Sequence, residues 1–211
     1  MWILVLLLTA GPLAALSDKP KTAAPTAPSP QQQAMEHYNR GLEHQQKAWE
    51  YEKKAAEKDR EKNLEKARKE YEKALAQHLE ATRKNPKFSE AFNSLGYAYR
   101  KTGDYPSALK AYDQALALNP EYAEAIEYRG EAYLGLNRAE EAQQAYEWLF
   151  LRDPKKAAAL LQAVKQWVEE RGKDLAGVAP EQLEKVRSWA TQKEAAAQEL
   201  SGVKETGKQE W

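Results

Sequence analysis

The chain contains no cysteine. That absence removes disulfides, thiolate metal sites, a cysteine nucleophile and a lipid-bearing N-terminal cysteine, and it fits an extracytoplasmic protein. Net charge is also missing: 32 Lys and Arg offset 32 Asp and Glu, so nothing points to nucleic acid or an anionic membrane as partner. No His-Glu-x-x-His, no glycine-rich phosphate loop and no serine nucleophile elbow occurs. The expectation is a non-catalytic chain without cofactor or metal.

The beginning of the chain lacks something too. Trp2 to Leu8 is an uninterrupted apolar run, continuing with breaks to Leu16, and no Lys or Arg precedes it. Ala15, Leu16 and Ser17 offer small residues around a cleavage point before Asp18. The uncharged stretch is shorter than the roughly 20 residues a spanning helix needs, so residues 1–17 read as a secretory signal peptide. Export, into a bacterial periplasm, is the expectation, with membrane anchoring if the segment is not cleaved. Residues 18–33, rich in Pro, Ala, Thr, Ser and Gln, read as a disordered linker.

What is present is a repeat. Phe92, Leu95, Gly96, Tyr99, Ala108, Tyr112 and Pro120 return 34 positions later as Ile126, Arg129, Gly130, Tyr133, Ala142, Tyr146 and Pro154. Glycine and alanine let two short antiparallel helices approach closely, the tyrosines fill the wider gaps, and Gly103 suits a turn with positive φ. The prolines end the second helices. This pattern resembles the tetratricopeptide repeat, and the resemblance implies an all-α solenoid of helix–turn–helix units, with repeats at 89–122 and 123–156. A further step lands on Leu160 and Trp167, placing capping helices over 157–200. Leu183, Val186, Trp189 and Ala190 form one apolar stripe there, packed on the end of the stack or lying in the groove. Residues 201–211 read as a flexible tail.

Run backwards, the grid finds a degenerate first repeat at 34–88. His37, Arg40, Gly41, His44, Ala74 and His78 take repeat positions, but Ala74 follows Gly41 by 33 positions where Ala108 follows Gly96 by 12. The excess of 21 is three heptads, which leaves the helix faces in phase. It adds about ten residues, or about 15 Å, to each helix of the hairpin. The inserted stretch is mostly Glu, Lys, Arg and Ala, and without Gly or Pro its turn is placed near Lys58–Asn63; one long helix is the alternative. The three histidines fall on neighbouring grid positions, where they pack in place of aromatics or, less simply, hold a metal.

In the family that the repeats resemble, first helices line a concave groove. The resemblance therefore implies a binding row of Met35, Tyr38, Leu42, Gln45 and Trp49, then Glu90, Asn93, Tyr97, Arg100 and Lys101, then Glu124, Glu127, Glu131 and Leu134. Such a groove is apolar at one end and acidic at the other. It departs from the family's two-lysine, two-asparagine clamp for a C-terminal carboxylate. An extended or helical segment with apolar anchors followed by basic residues complements it better. Alternatively, Tyr38, Leu42 and Trp49 are core residues of a slipped first hairpin. The implied function is an exported adaptor that binds a peptide or protein and needs no membrane once its signal is removed. A self-associating envelope protein built on the long hairpin, and histidine-based metal binding, are the alternatives.

Overall fold

A computed structural model describes residues 27–206 of the chain, with side chains placed through residue 199. The expected signal peptide lies outside the described residues, as do most of the expected linker and the last five residues of the expected tail. Eight helices follow in order: α1 (Pro30–Glu57), α2 (Arg60–Lys84), α3 (Ser89–Lys101), α4 (Tyr105–Leu118), α5 (Ala123–Gly135), α6 (Ala139–Arg152), α7 (Pro154–Lys173) and α8 (Pro180–Thr206). They pair as four antiparallel hairpins, and each hairpin packs on the next. The architecture is an all-α solenoid with a long first hairpin and capping helices at the far end.

The repeat positions do their expected work at Gly96, where a β-carbon would meet the Tyr112 ring of α4 at 2.6 Å. The loops between hairpins repeat as well. Asn85–Phe88 and Asn119–Tyr122 stand 34 residues apart, and in each the Asn amide bonds the last turn of the preceding helix at 2.9 Å while its carbonyl accepts from the closing aromatic at 3.2 Å. Gly103 has φ 87° in the α3–α4 turn, and Asn137 takes the matching left-handed turn position with φ 57°.

Four expectations need correction. α8 runs to Thr206, six residues into the expected flexible tail at 201–211. Gly130 makes room for more than its own hairpin partner: Ala145 of α6 lies 3.4 Å from the β-carbon position, but Leu160 of α7 is nearer, at 2.7 Å. Pro154 ends α6 as expected, but the next helix starts on it and not at the expected boundary of 157. It is the first residue of α7, and Asp153 alone joins the helices, its side chain accepting from the Lys156 amide; proline is preorganised for that first turn. Finally, α1 begins at Pro30, inside the expected linker, because Ser29 and Gln32 form a reciprocal capping box.

The long hairpin turns at Lys58–Asp59, with Asp59 left-handed at φ 47°. Its seam is a heptad of small residues: Ala34, Gly41, Ala48 and Ala55 are buried at intervals of seven on α1. Facing them, Asn63, Ala67, Tyr71, Ala74, His78 and Ala81 are buried in steps of three and four on α2. Small residues on one helix admit rings from the other, as His78 against Gly41 demonstrates. The hairpin is not wholly detached from the stack. Tyr71 meets Tyr97 of α3 edge-on, with centroids 5.9 Å apart, and Lys101 pairs with Glu52 at 2.6 Å.

At the other end, Leu183, Val186 and Ala190 of α8 are buried in one cluster with α6 and α7. Trp189 meets Tyr146 edge-on at 5.1 Å. The stripe thus covers the end of the stack and does not occupy the groove. No helix among the described residues is long and apolar enough to cross a membrane.

Candidate functional site

The first helices of successive hairpins share one side of the solenoid, and two hollows open between them. The first, of about 450 Å³, is lined by Tyr38, Leu42, Gln45, Gln46 and Trp49 of α1, Asn93, Ser94 and Tyr97 of α3, and Tyr122, Glu124 and Tyr128 at α5. The second brings Arg100, Lys101, Glu131 and Leu134 together with Glu52 and with Trp167 and Arg171 of α7.

The apolar side chains at the first end of the expected row are accessible. Leu42 and Trp49 are 38% and 46% exposed, and Tyr38 is half-buried, its ring 4.8 Å from Phe88. They are wall residues, not the core of a slipped hairpin. His37 and His44 turn to α2, where their Nδ1 atoms lie 2.8 Å from Gln77 Oε1 and 2.7 Å from Glu70 Oε2. His78 is buried under Gly41, and burial lowers its pKa to about 4. The histidines therefore act separately. Among the described residues no group of three or more His, Asp or Glu is arranged to hold a metal ion.

The floor of the first hollow is an aromatic ladder. Tyr97 sits 5.9 Å from Tyr71 and 5.2 Å from Tyr128. The Arg100 guanidinium lies 5.2 Å and 5.1 Å from the Tyr97 and Tyr128 rings, so the ladder is held by packing and by cation–π attraction. Polar groups sit between the rings. Gln45 Nε2 donates to the Ser94 carbonyl at 3.2 Å. Asn93 Nδ2 donates to the Tyr122 hydroxyl at 3.3 Å, and that hydroxyl faces Glu124 at 3.5 Å. Burial raises the Tyr122 pKa to about 12, and Glu124 adds to the shift. Asn93 is only 4% exposed, yet its Oδ1 has no partner. A buried acceptor without a donor is costly.

The acidic end expected of the groove is mostly neutralised within the protein. Glu127 is 5% exposed and pairs with Lys156 at 2.7 Å. Burial raises the Glu127 pKa against the opposing pull of Lys156. Glu131 pairs with Arg100, and Lys101 with Glu52. Met35 (48% exposed) and Glu90, bonded to the Ser89 hydroxyl at 2.9 Å, lie outside the lining of both hollows. Of the expected row, Tyr38, Leu42, Gln45, Trp49, Asn93, Tyr97 and Glu124 converge on the first hollow. Gln46, Ser94, Tyr122 and Tyr128 join them unforeseen. Ser94 and Tyr128 were detectable, since each lies four residues after one expected groove residue and three before another, on the same helical stripe.

A stack of paired helices with a hollow along its first helices is the form of an α-solenoid scaffold. Residues 89–122 match the family model "Tetratricopeptide repeat". Similar residue types and hairpin geometry recur at 123–156, so the chain carries tetratricopeptide-type repeats, units of a class that serves protein–protein interaction. No curated protein matches it in sequence. Among solved structures it is similar to one titled "Crystal structure of MamA protein", with 18% identity over 70% of this chain and 98% of that chain and a TM-score of 0.35.

Proposed function

We propose that this protein is an exported, non-catalytic adaptor that holds a peptide or protein segment in the hollow between α1, α3 and α5. One observation carries the reading. Five aromatic rings, Tyr38, Trp49, Tyr97, Tyr122 and Tyr128, surround an open hollow whose lining also includes the polar side chains of Gln45, Gln46 and Asn93. Rigid aromatic walls with a few placed polar groups are how proteins hold a chain segment with affinity and orientation. Export rests on the apolar run at Trp2 to Leu16.

Leu42→Ala combined with Trp49→Ala tests the reading, because both side chains are well exposed. The double variant should keep its helical circular dichroism and melting temperature while losing the proteins that the parent chain captures from an envelope extract. Unchanged capture would remove the hollow from consideration.

A further inference from the structure

We propose that the first hollow is a site for an extended, proline-rich segment carrying basic residues, and that its occupant is the chain's own segment at residues 18–29. The inference rests on the hollow being the binding site.

The lining fits that ligand class. A polyproline II segment presents flat pyrrolidine rings and solvated carbonyls, and its proline positions have no N–H. It is best met by aromatic faces interleaved with hydrogen-bond donors. The hollow supplies five aromatic faces, the Gln46 amide and the Trp49 indole N–H as donors. Glu124 in the lining and Glu90 on the rim add negative charge at the end where α3 and α5 begin.

The chain carries such a segment beside the hollow. Between Asp18 and Pro30 it has Pro20, Pro25, Pro28 and Pro30, with Lys19 and Lys21 as its only basic residues. Pro28 is anchored to α1, where Gln33 Nε2 donates to its carbonyl at 2.8 Å. From there the lengths agree. Folded back along α1 at about 3.1 Å per residue, the segment carries Lys19 about 25 Å from Ala27. Gln46 lies about 24 Å beyond Pro30, the first helical residue, at about 1.5 Å per helical residue. Lys21 falls short of that point, toward Tyr38, whose hydroxyl feels the charges of Glu90 and Glu124.

Because the chain has no cysteine, a pair of introduced thiols reads the arrangement directly in the full-length protein. Lys19→Cys with Gln46→Cys places one thiol in the hollow. Lys19→Cys with Lys47→Cys is the control at the same height on α1 but outside the lining. The first pair should form an intramolecular disulfide at least tenfold faster, and replacing Pro20, Pro25 and Pro28 by Gly should bring the two rates together. Equal rates for the two pairs would overturn the proposal, as would a disulfide between two chains. A preference that survives loss of the prolines would overturn the ligand class. None of these results bears on capture of an outside partner by Leu42 and Trp49, which is read separately.

Discussion

His78 lies directly over Gly41: a β-carbon at position 41 would come within 2.3 Å of its Cε1. The imidazole fills the place that the Tyr112 ring fills over Gly96, where the corresponding approach is 2.6 Å. A polar ring has thus been set where the repeat uses a phenol, and neither of its nitrogens has a partner.

The consequence is a pH dependence. Burial lowers the His78 pKa from 6.5 to about 4, so the folded state holds the ring neutral while the unfolded chain takes up a proton below pH 6.5. The stability this group contributes is therefore complete above 6.5 and is lost as pH falls from 6.5 to about 4. The total is about 3 kcal/mol, at about 1.4 kcal/mol per pH unit. Denaturant unfolding at pH 7 and pH 4.5 should show the loss, and His78→Phe should flatten it. An equal slope in the variant would place the effect elsewhere.

The glycines differ in what they tolerate. Gly96→Leu drives a side chain into a fully buried tyrosine ring and should cost roughly 1–3 kcal/mol or more. Gly130 faces the end of the Leu160 side chain, which has rotamers to yield. Gly130→Ala should therefore change the melting temperature less than Gly96→Ala does. The reverse order would mean that α7 packs more rigidly on α5 than α4 does on α3.

The long hairpin should shorten only in whole heptads. Removing Tyr51–Glu57 together with Arg60–Lys66 takes seven residues from each helix and keeps the turn at Lys58–Asp59. The Ala and Gly seam then stays in phase, and a single cooperative unfolding transition is expected. Removing five from each side rotates the distal faces by about 140° at about 3.6 residues per turn and should unfold the hairpin beyond Ala48. Sedimentation of the shortened chain also tests self-association, since a dimer built on the hairpin would dissociate.

Much of this architecture was legible in the sequence because it is periodic. Gly96 and Gly130, Ala108 and Ala142, and Asn85 and Asn119 mark the repeat, and the seven-residue spacing from Ala34 to Ala55 marks the long hairpin. What was not legible is how side chains of different hairpins answer one another. The grid places Glu127 on the groove face, but it does not say that Lys156, 29 residues on, reaches back to it. It assigns Gly130 a partner in α6, which Ala145 supplies, but it does not say that the one-residue link at Asp153 draws α7 close enough to put Leu160 nearer still. Tyr122 belongs to a loop, where helical spacing gives no direction.

The Glu127–Lys156 pair gives a further prediction. Lys156→Met leaves a nearly buried carboxylate without its cation and should destabilise by about 3 kcal/mol. Adding Glu127→Gln should recover most of that loss. Glu127→Lys would set two ammonium groups together and should unfold the third repeat, so it is not a clean probe of binding. Additive losses in the double variant, measured by urea unfolding, would mean that the two groups are not coupled.

The central claim is that partners are held between α1, α3 and α5, and a photo-crosslinking residue at position 46 tests it most directly. Gln46 is exposed and lines the hollow, whereas Lys110 on α4 is equally exposed and lines neither hollow. Irradiation in the cell of origin should join the position-46 chain to a defined partner, or to its own residues 18–29. Either product should disappear when Leu42 and Trp49 are changed to Ala, and the same residue at position 110 should give neither. A partner joined at position 110 and not at 46, or adducts at 46 that persist without Leu42 and Trp49, would contradict the account.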